Sequence, residues 1–382
     1  MVALLVTKVT SRRPRLRRAT TLIAHWKKDQ LVFENYFTRR RVTAAPLTLL
    51  VLDFFSRWRT PSEFFSQFDN YARHSLALAL HQLTQRHFLV REGSVEARRD
   101  ALLEKVWAPW LPAAGMLQFE TRNLRYESNL AAVRRQFQQR ASEVAPPSPV
   151  KHYREAPQFS LPAPQQSGAF PQVLLARRTW RRFTKRPLRL SDLATLLNLT
   201  WGVHRWVKLP GVGRLALKTS PSAGARHPIE VYVLAVNVAG LRRGLYHYAA
   251  NRHRLELLKR GATSRDVVDF LANQWWYRPA AALMLMTAVF PRNQWKYRDS
   301  TAYRTIMIDA GHVCQTFCLV ATWLGLAPFC TMAFDQVRVE KELGLDGIKE
   351  SVIYAAGVGA RPSGVDWAPW PHPRTWAGIT GS

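Results

Sequence analysis

A lysine and a tyrosine stand side by side at Lys296-Tyr297, within Asn293-Gln294-Trp295-Lys296-Tyr297-Arg298-Asp299-Ser300. An amine and a phenol on one surface can each move a proton if their surroundings shift their pKa. On their own the two also read as a solvated lysine and a half-buried tyrosine. A second cluster lies at Ala176-Arg177-Arg178-Thr179-Trp180-Arg181-Arg182-Phe183. Arginines beside a hydroxyl offer a phosphate monoester bidentate charged donors plus a neutral one, although the same residues could form a solvated basic patch. In Thr219-Ser220-Pro221-Ser222-Ala223-Gly224-Ala225, small side chains and one glycine let backbone approach a flat ligand closely. Gly357-Val358-Gly359-Ala360-Arg361-Pro362 reads as a short turn that could present amides and one guanidinium to a phosphate. Of the three cysteines, Cys314 and Cys318 are four apart and close to His312, with Cys330 further on. A metal site would need ligands that this spacing does not offer, so they read as small buried apolar side chains and no metal is expected.

These residues need a scaffold. Ile306, Ala310, Val313, Phe317, Val320 and Leu324 recur every three or four positions, predicting a helix over about Ser300–Leu324 with one buried face. Ser191-Asp192 reads as the cap of a helix, LATLLNLTWG, that stops on Gly202. IEVYVLAVNV and Ala280–Ala288 read as central strands, GLYHYAANRHRLELLKRG as a hairpin extending the sheet, and Val352–Val358 as a last strand.

The first hundred residues have another character. Residues 20–42 read as a hairpin, and Pro46–Trp58 carries a helical apolar stripe. Thr60-Pro61-Ser62-Glu63 is a capping-box helix start, a third helix fits Asn70–Arg86, and His87–Val90 suggests a returning strand. That is the order of a winged helix-turn-helix. Its third helix holds only a few basic residues among many apolar ones, so a peptide is a better expected ligand than nucleic acid. Helices are expected around Ala101–Trp107 and Ser128–Ala141, and the seven prolines from Pro146 to Pro171 suggest an extended connector.

The 382 residues suffice for two or three domains, with 47% hydrophobic and 11% aromatic residues. No apolar run is expected to reach the roughly 20 residues that span a bilayer, and the start reads as no export signal, so no membrane and a cytoplasmic location are expected. Three cysteines argue against a disulfide framework. The formal net charge is +29, and residues 1–41 hold eleven Lys or Arg, among them Lys8, Arg12 and Arg13, against Asp29 and Glu34. Such a field attracts polyanions or acidic peptides.

Taken in order, ARRTWRRF, SPSAGARHPIEVYV, GLYHYAANRHRLE, WKYRDSTAYR, DAGHVCQTFCLVATWLGL and AAGVGARP resemble the nitroreductase-type flavin fold. More narrowly they are similar to the SagB-type dehydrogenases, which include the azoline oxidases that mature thiazole- and oxazole-containing peptides. The resemblance covers about Phe170–Pro362. It implies an α+β fold, a central mainly antiparallel sheet flanked by helices, behind a winged helix-turn-helix-like module. The expected domains are 1–98, a peptide-binding module; 99–169, a helical and Pro-rich connector; and 170–382, the FMN domain. It further implies a homodimer with FMN at the subunit interface, a peptide substrate and a cyclodehydratase complex as partner. Arg177, Arg178, Thr179 and Arg181 would hold the FMN phosphate and ribityl chain, with Thr179 where the family usually has Ser. Pro221, Ser222, Ala223 and Gly224 would line the isoalloxazine from the partner subunit. The backbone amides of Met332 and Ala333 would face flavin N5, although the usual Glu-Gly side chains are absent there. Gly357, Gly359 and Arg361 would complete the phosphate site, and Lys296 and Tyr297 would remove the substrate proton. The alternatives are an NAD(P)H-dependent nitroreductase or flavin reductase and, in another class, a DNA-binding regulator with a flavin domain.

Overall fold

The computed structural model describes residues 14–123, 126–145, 162–164, 166–210 and 213–364. Lys8, Arg12 and Arg13, and most of the expected connector (146–161 and 165), lie outside them. The chain divides into two compact units, one formed by residues up to Arg122 with Arg298–Ser300, the other by the remainder.

The first unit contains β1 (Leu16–Arg18), β2 (Leu22–Lys27), β3 (Gln30–Asn35), β4 (Arg40–Thr43), α1 (Pro46–Phe54), α2 (Pro61–Gln67), α3 (Arg73–Gln85), β5 (Leu89–Arg91), α4 (Val95–Trp107) and α5 (Pro112–Glu120). The capping box forms as expected: the Glu63 amide donates to Thr60 Oγ1 at 3.3 Å, and the Thr60 amide donates to Glu63 Oε2 at 2.6 Å. Phe54, Phe55, Phe64, Leu76, Leu80 and Leu83 close the core that these three helices share. The returning strand β5 pairs with β1 rather than with the β2-β3-β4 meander. The unit also runs beyond the expected limit at residue 98. Buried Asp100 of α4 accepts from Arg17 at 2.8 Å and from the Thr20 amide at 3.0 Å, tying that helix to the strand segment before it.

In the second unit α6 (Leu130–Glu143) buries no side chain. It is followed by α7 (Ala169–Ala176), β6 (Leu188–Arg189), α8 (Leu190–Trp201), β7 (Arg205–Leu209), β8 (Gly213–Leu217), β9 (Ile229–Ala235), β10 (Val238–Ala239), β11 (Gly244–Ala249), β12 (Arg254–Arg260), α9 (Ser264–Phe270), β13 (Ala282–Val289), α10 (Phe290–Lys296), α11 (Thr301–Trp323), β14 (Leu326–Thr331), α12 (Gln336–Leu343) and β15 (Glu350–Ala360). A six-stranded sheet of order β12-β11-β9-β13-β15-β14 is antiparallel at every junction. β13 (ALMLMTAV) is apolar on both faces because it is covered on both. Asp192 does not cap α8: the N-cap is Arg189, whose guanidinium grips the Asp192 carboxylate at 2.8 and 2.9 Å.

α11 spans 23 residues, and an 18-residue stretch of it reaches a mean hydropathy of 1.2, so by length and composition it is long and apolar enough to cross a membrane, contrary to the expectation that no segment is. The same composition serves a helix that must cover a sheet: Ile306, Ala310, Cys314, Phe317, Cys318 and Ala321 are buried, and Phe317 packs against Trp201 of α8.

Candidate active site

The expected residues fall into two groups, and α11 carries one end of each. The first forms around the tight loop between Ser220 and His227. Gly224, Ala225 and His227 all adopt positive φ, of 59°, 52° and 44°, a conformation that costs a non-glycine residue about 1–2 kcal/mol. Asp309, on the buried face of α11, offsets that strain: Oδ2 accepts from Ser222 Oγ at 2.6 Å and Oδ1 from the Ala223 amide at 3.4 Å. Ser222 Oγ in turn accepts from the His227 amide at 2.9 Å. Burial pushes the Asp309 carboxyl pKa up, and the bonds from Ser222 and Ala223 oppose that. The sequence reading missed Asp309, although a carboxylate on an otherwise apolar helix stripe is a visible signal.

Lys296 closes α10 and Tyr297 is its C-cap residue, so a short helix positions the pair, which the sequence had suggested only as a lead-in to α11. Lys296 is exposed and Tyr297 half-buried in the single chain, with the ammonium 5.4 Å from the phenol ring centre. Both reach the loop. A Cβ placed on Gly224 would stand 2.5 Å from Lys296 Nζ and 2.7 Å from Tyr297 Oη. A methyl group there would push the ends of both side chains away from that backbone. Beside them opens a cavity of about 860 Å³, lined among others by Lys218, Arg226, His227, Glu230, Arg292 and Trp295. Arg226 lies over the Trp295 ring at 4.9 Å. Burial, then Lys218, lowers the His227 pKa to about 4 and keeps its imidazole neutral.

The second group gathers where the segment after α7 runs along the end of the sheet. The Trp180 amide donates to Pro328 O at 2.8 Å and the Thr184 amide to Ala360 O at 3.0 Å, and the Arg361 guanidinium lies 4.6 Å from the Trp180 ring centre. The early arginines and Arg361 are thereby brought to one place. Their individual roles differ. Arg178 holds the end of α7 through Leu175 O and Arg177 O, Arg181 bonds Tyr277, and Arg177 acts on Cys318 and Cys330. Thr179 is half-buried within the same segment.

Two expectations are corrected. Gly357 and Gly359 are not in a turn but inside β15, opposite Phe329 and Ala327 of β14. A side chain at Gly357 would run into the Phe329 ring and one at Gly359 would come within 2.6 Å of Phe183, so these glycines make room for packing rather than present amides. The Ala333 amide donates to Thr331 Oγ1 at 3.0 Å, and Ala333 O accepts from Gln274 at 2.7 Å, so this amide is already engaged. Met332 is exposed beside it.

A phosphorylated planar cofactor fits this donor set. Arginines stand at the sheet end, buried Arg182 Nε has no hydrogen-bond partner among the described residues, and Gly224 leaves a flat approach that a Cβ would fill.

Residues 174–360 match the profile of the nitroreductase family. The trifolitoxin-processing protein TfxB of Rhizobium leguminosarum bv. trifolii is 32% identical over 172 residues, 44% of this chain and 46% of that protein. The chain therefore matches about half of that relative's length. A putative nitroreductase of Methanocaldococcus jannaschii is 29% identical over 189 residues, 50% of this chain and 89% of that protein. Among solved structures, a putative nitroreductase from Anabaena variabilis aligns with a TM-score of 0.44 and 25% identity, over 50% of this chain and 38% of that one.

Proposed function

We propose, from the premise that residues 174–360 form a nitroreductase-family domain, that this chain is an FMN-dependent dehydrogenase that oxidises an azoline ring in a peptide to the azole. The observation that carries the reading is the convergence of Lys296 Nζ and Tyr297 Oη over the backbone of Gly224. A general base and a hydrogen-bonding phenol there share one approach with the surface best suited to a flat ring. The similarity to a protein named for processing trifolitoxin supports a toxin-maturation role over small-molecule reduction.

Aromatising an azoline removes a proton from the ring carbon next to the carbonyl and a hydride from the neighbouring ring carbon. Bound flavin supplies the hydride acceptor. Lys296 takes the proton, and Tyr297 hydrogen-bonds the amine and keeps it aimed. Ser222 and Asp309 hold the loop so that Gly224 keeps its left-handed geometry. Arg177, Arg178, Thr179, Arg181 and Arg361 would hold the phosphate end, and Pro221, Ser222, Ala223 and Gly224 would face the ring. On α11 the two groups are separated by the five to nine residues from Asp309 to Cys314 and Cys318, roughly 8–14 Å at 1.5 Å per residue. A homodimer in which each copy contributes one group to a shared site is the assembly this reading calls for. An azoline must be made before it is oxidised, so a cyclodehydratase is the expected partner.

Mass spectrometry of an azoline peptide after incubation should show a loss of two hydrogens per ring. Lys296→Ala and Tyr297→Phe should leave a yellow protein with turnover lowered by about 10²–10⁴-fold. Unchanged peptide mass together with rapid NAD(P)H oxidation would instead establish the reductase reading, which the similarity to a putative nitroreductase supports.

A further inference from the structure

The chain has three cysteines, and the fold brings all of them to one point. Cys314 and Cys318 sit one helical turn apart on the buried face of α11, and Cys330 lies on β14 opposite Ala356 of β15. The three sulfur atoms lie within 4.8 Å of one another, with Cys314 and Cys318 buried and Cys330 half-buried. Spacing alone had offered two ligands on one helix. The third comes from a strand that folds back beneath it.

We propose that Cys314, Cys318 and Cys330 form a thiolate site for one divalent d¹⁰ cation, zinc being the physiological occupant. Sulfurs bonded to one zinc at about 2.3 Å stand roughly 3.8 Å apart, within reach of the observed arrangement by small side-chain rotations. A disulfide explains the cluster less well. Cβ atoms four residues apart on a helix are about 5–6 Å apart, whereas a disulfide needs about 3.5–4.5 Å, so Cys314 and Cys318 cannot bridge without backbone movement. Pairing Cys330 with either would leave the third thiol stranded. Charge selects the divalent ion. Three thiolates and a +2 cation leave one negative charge, which the Arg177 guanidinium acting on Cys318 and Cys330 balances. The Tyr354 hydroxyl is hydrogen-bonded to Cys330 beside the cluster.

The site shares Arg177 with the proposed phosphate end, so it is tested without activity. Full-length protein purified with zinc present should hold one zinc per chain by elemental analysis. After chelation, titration with cadmium alone should raise an ultraviolet thiolate-to-cadmium absorption that saturates at one equivalent. Cys318→Ser and Cys314→Ser should each weaken cadmium binding by more than roughly a hundredfold, since even partners of ligands are commonly worth 10–100-fold. Near-ultraviolet circular dichroism like that of the parent shows that each variant is folded. The proposal fails if cadmium raises no such band in the parent protein. It fails equally if the serine variants bind as the parent does, or if peptide mapping finds a disulfide in protein kept under reductant.

Discussion

At the scale of single residues, the site turns on a glycine. Gly224 combines a left-handed φ of 59° with two functional groups crowded where its side chain would be. Gly224→Ala should therefore act twice. The backbone conformation costs about 1–2 kcal/mol, lowering the melting temperature, and the methyl group displaces Lys296 and Tyr297. Turnover should fall further than that loss of stability explains, with flavin content measured in parallel to separate displacement of the pair from loss of the cofactor. Parent-like turnover in the folded variant would remove Gly224 from the account. The Lys-Tyr pair, the small-residue loop and Arg361 were legible as candidates because their residue types are unusual in company. Asp309 was not read as a functional residue, because its role depends on a loop about 85 positions earlier in the chain.

Among the secondary-structure elements, β15 departs most from its sequence reading. A Gly-x-Gly stretch ahead of Arg-Pro resembles a phosphate-binding turn, and local sequence cannot distinguish that from a strand whose neighbours need room. Phe329 from β14 and Phe183 from the segment after α7 occupy the space that Cβ atoms at Gly357 and Gly359 would take. Gly359→Ala should therefore destabilise the protein by about 1–3 kcal/mol through overpacking. Denaturant unfolding should show a lower midpoint at unchanged slope. Because Thr184 pairs with Ala360 next door, the arginine segment should loosen as well. The capping box of α2 was readable for the opposite reason: Thr60 and Glu63 satisfy one another within four residues.

For the second unit as a whole, charge is arranged in specific pairs despite the net +29 of the chain. On the sheet, His247 lies between Glu256 at 2.8 Å and Glu230 at 3.2 Å, and Glu230 also meets Arg292 at 2.5 Å. The bond to Glu230, ahead of that to Glu256, raises the His247 pKa from 6.5 to about 9. A folded pKa above the unfolded one means the folded state holds its proton longer. The stabilisation is complete below about pH 6.5 and is lost as pH rises towards and through 9. Partial exposure of the ring to solvent weakens the effect. The difference in melting temperature between the parent and His247→Asn should shrink from pH 6 to pH 9.5. A difference that stays constant over that range would show that the histidine carries no such linkage.

By itself the sequence determined the three helices α1, α2 and α3, the central strands β9 and β13, the capping box of α2, the apolar face of α11 and the resemblance across Phe170–Pro362. Each of these is written in residues close together in the chain or in the order of short motifs. Tertiary structure alone decided that Asp309 braces the loop carrying Gly224, that Gly357 and Gly359 are buried in a strand, and that Cys330 joins Cys314 and Cys318. Such meetings join positions far apart in sequence. They are set by how a long helix lies on a twisted antiparallel sheet, which no local spacing records.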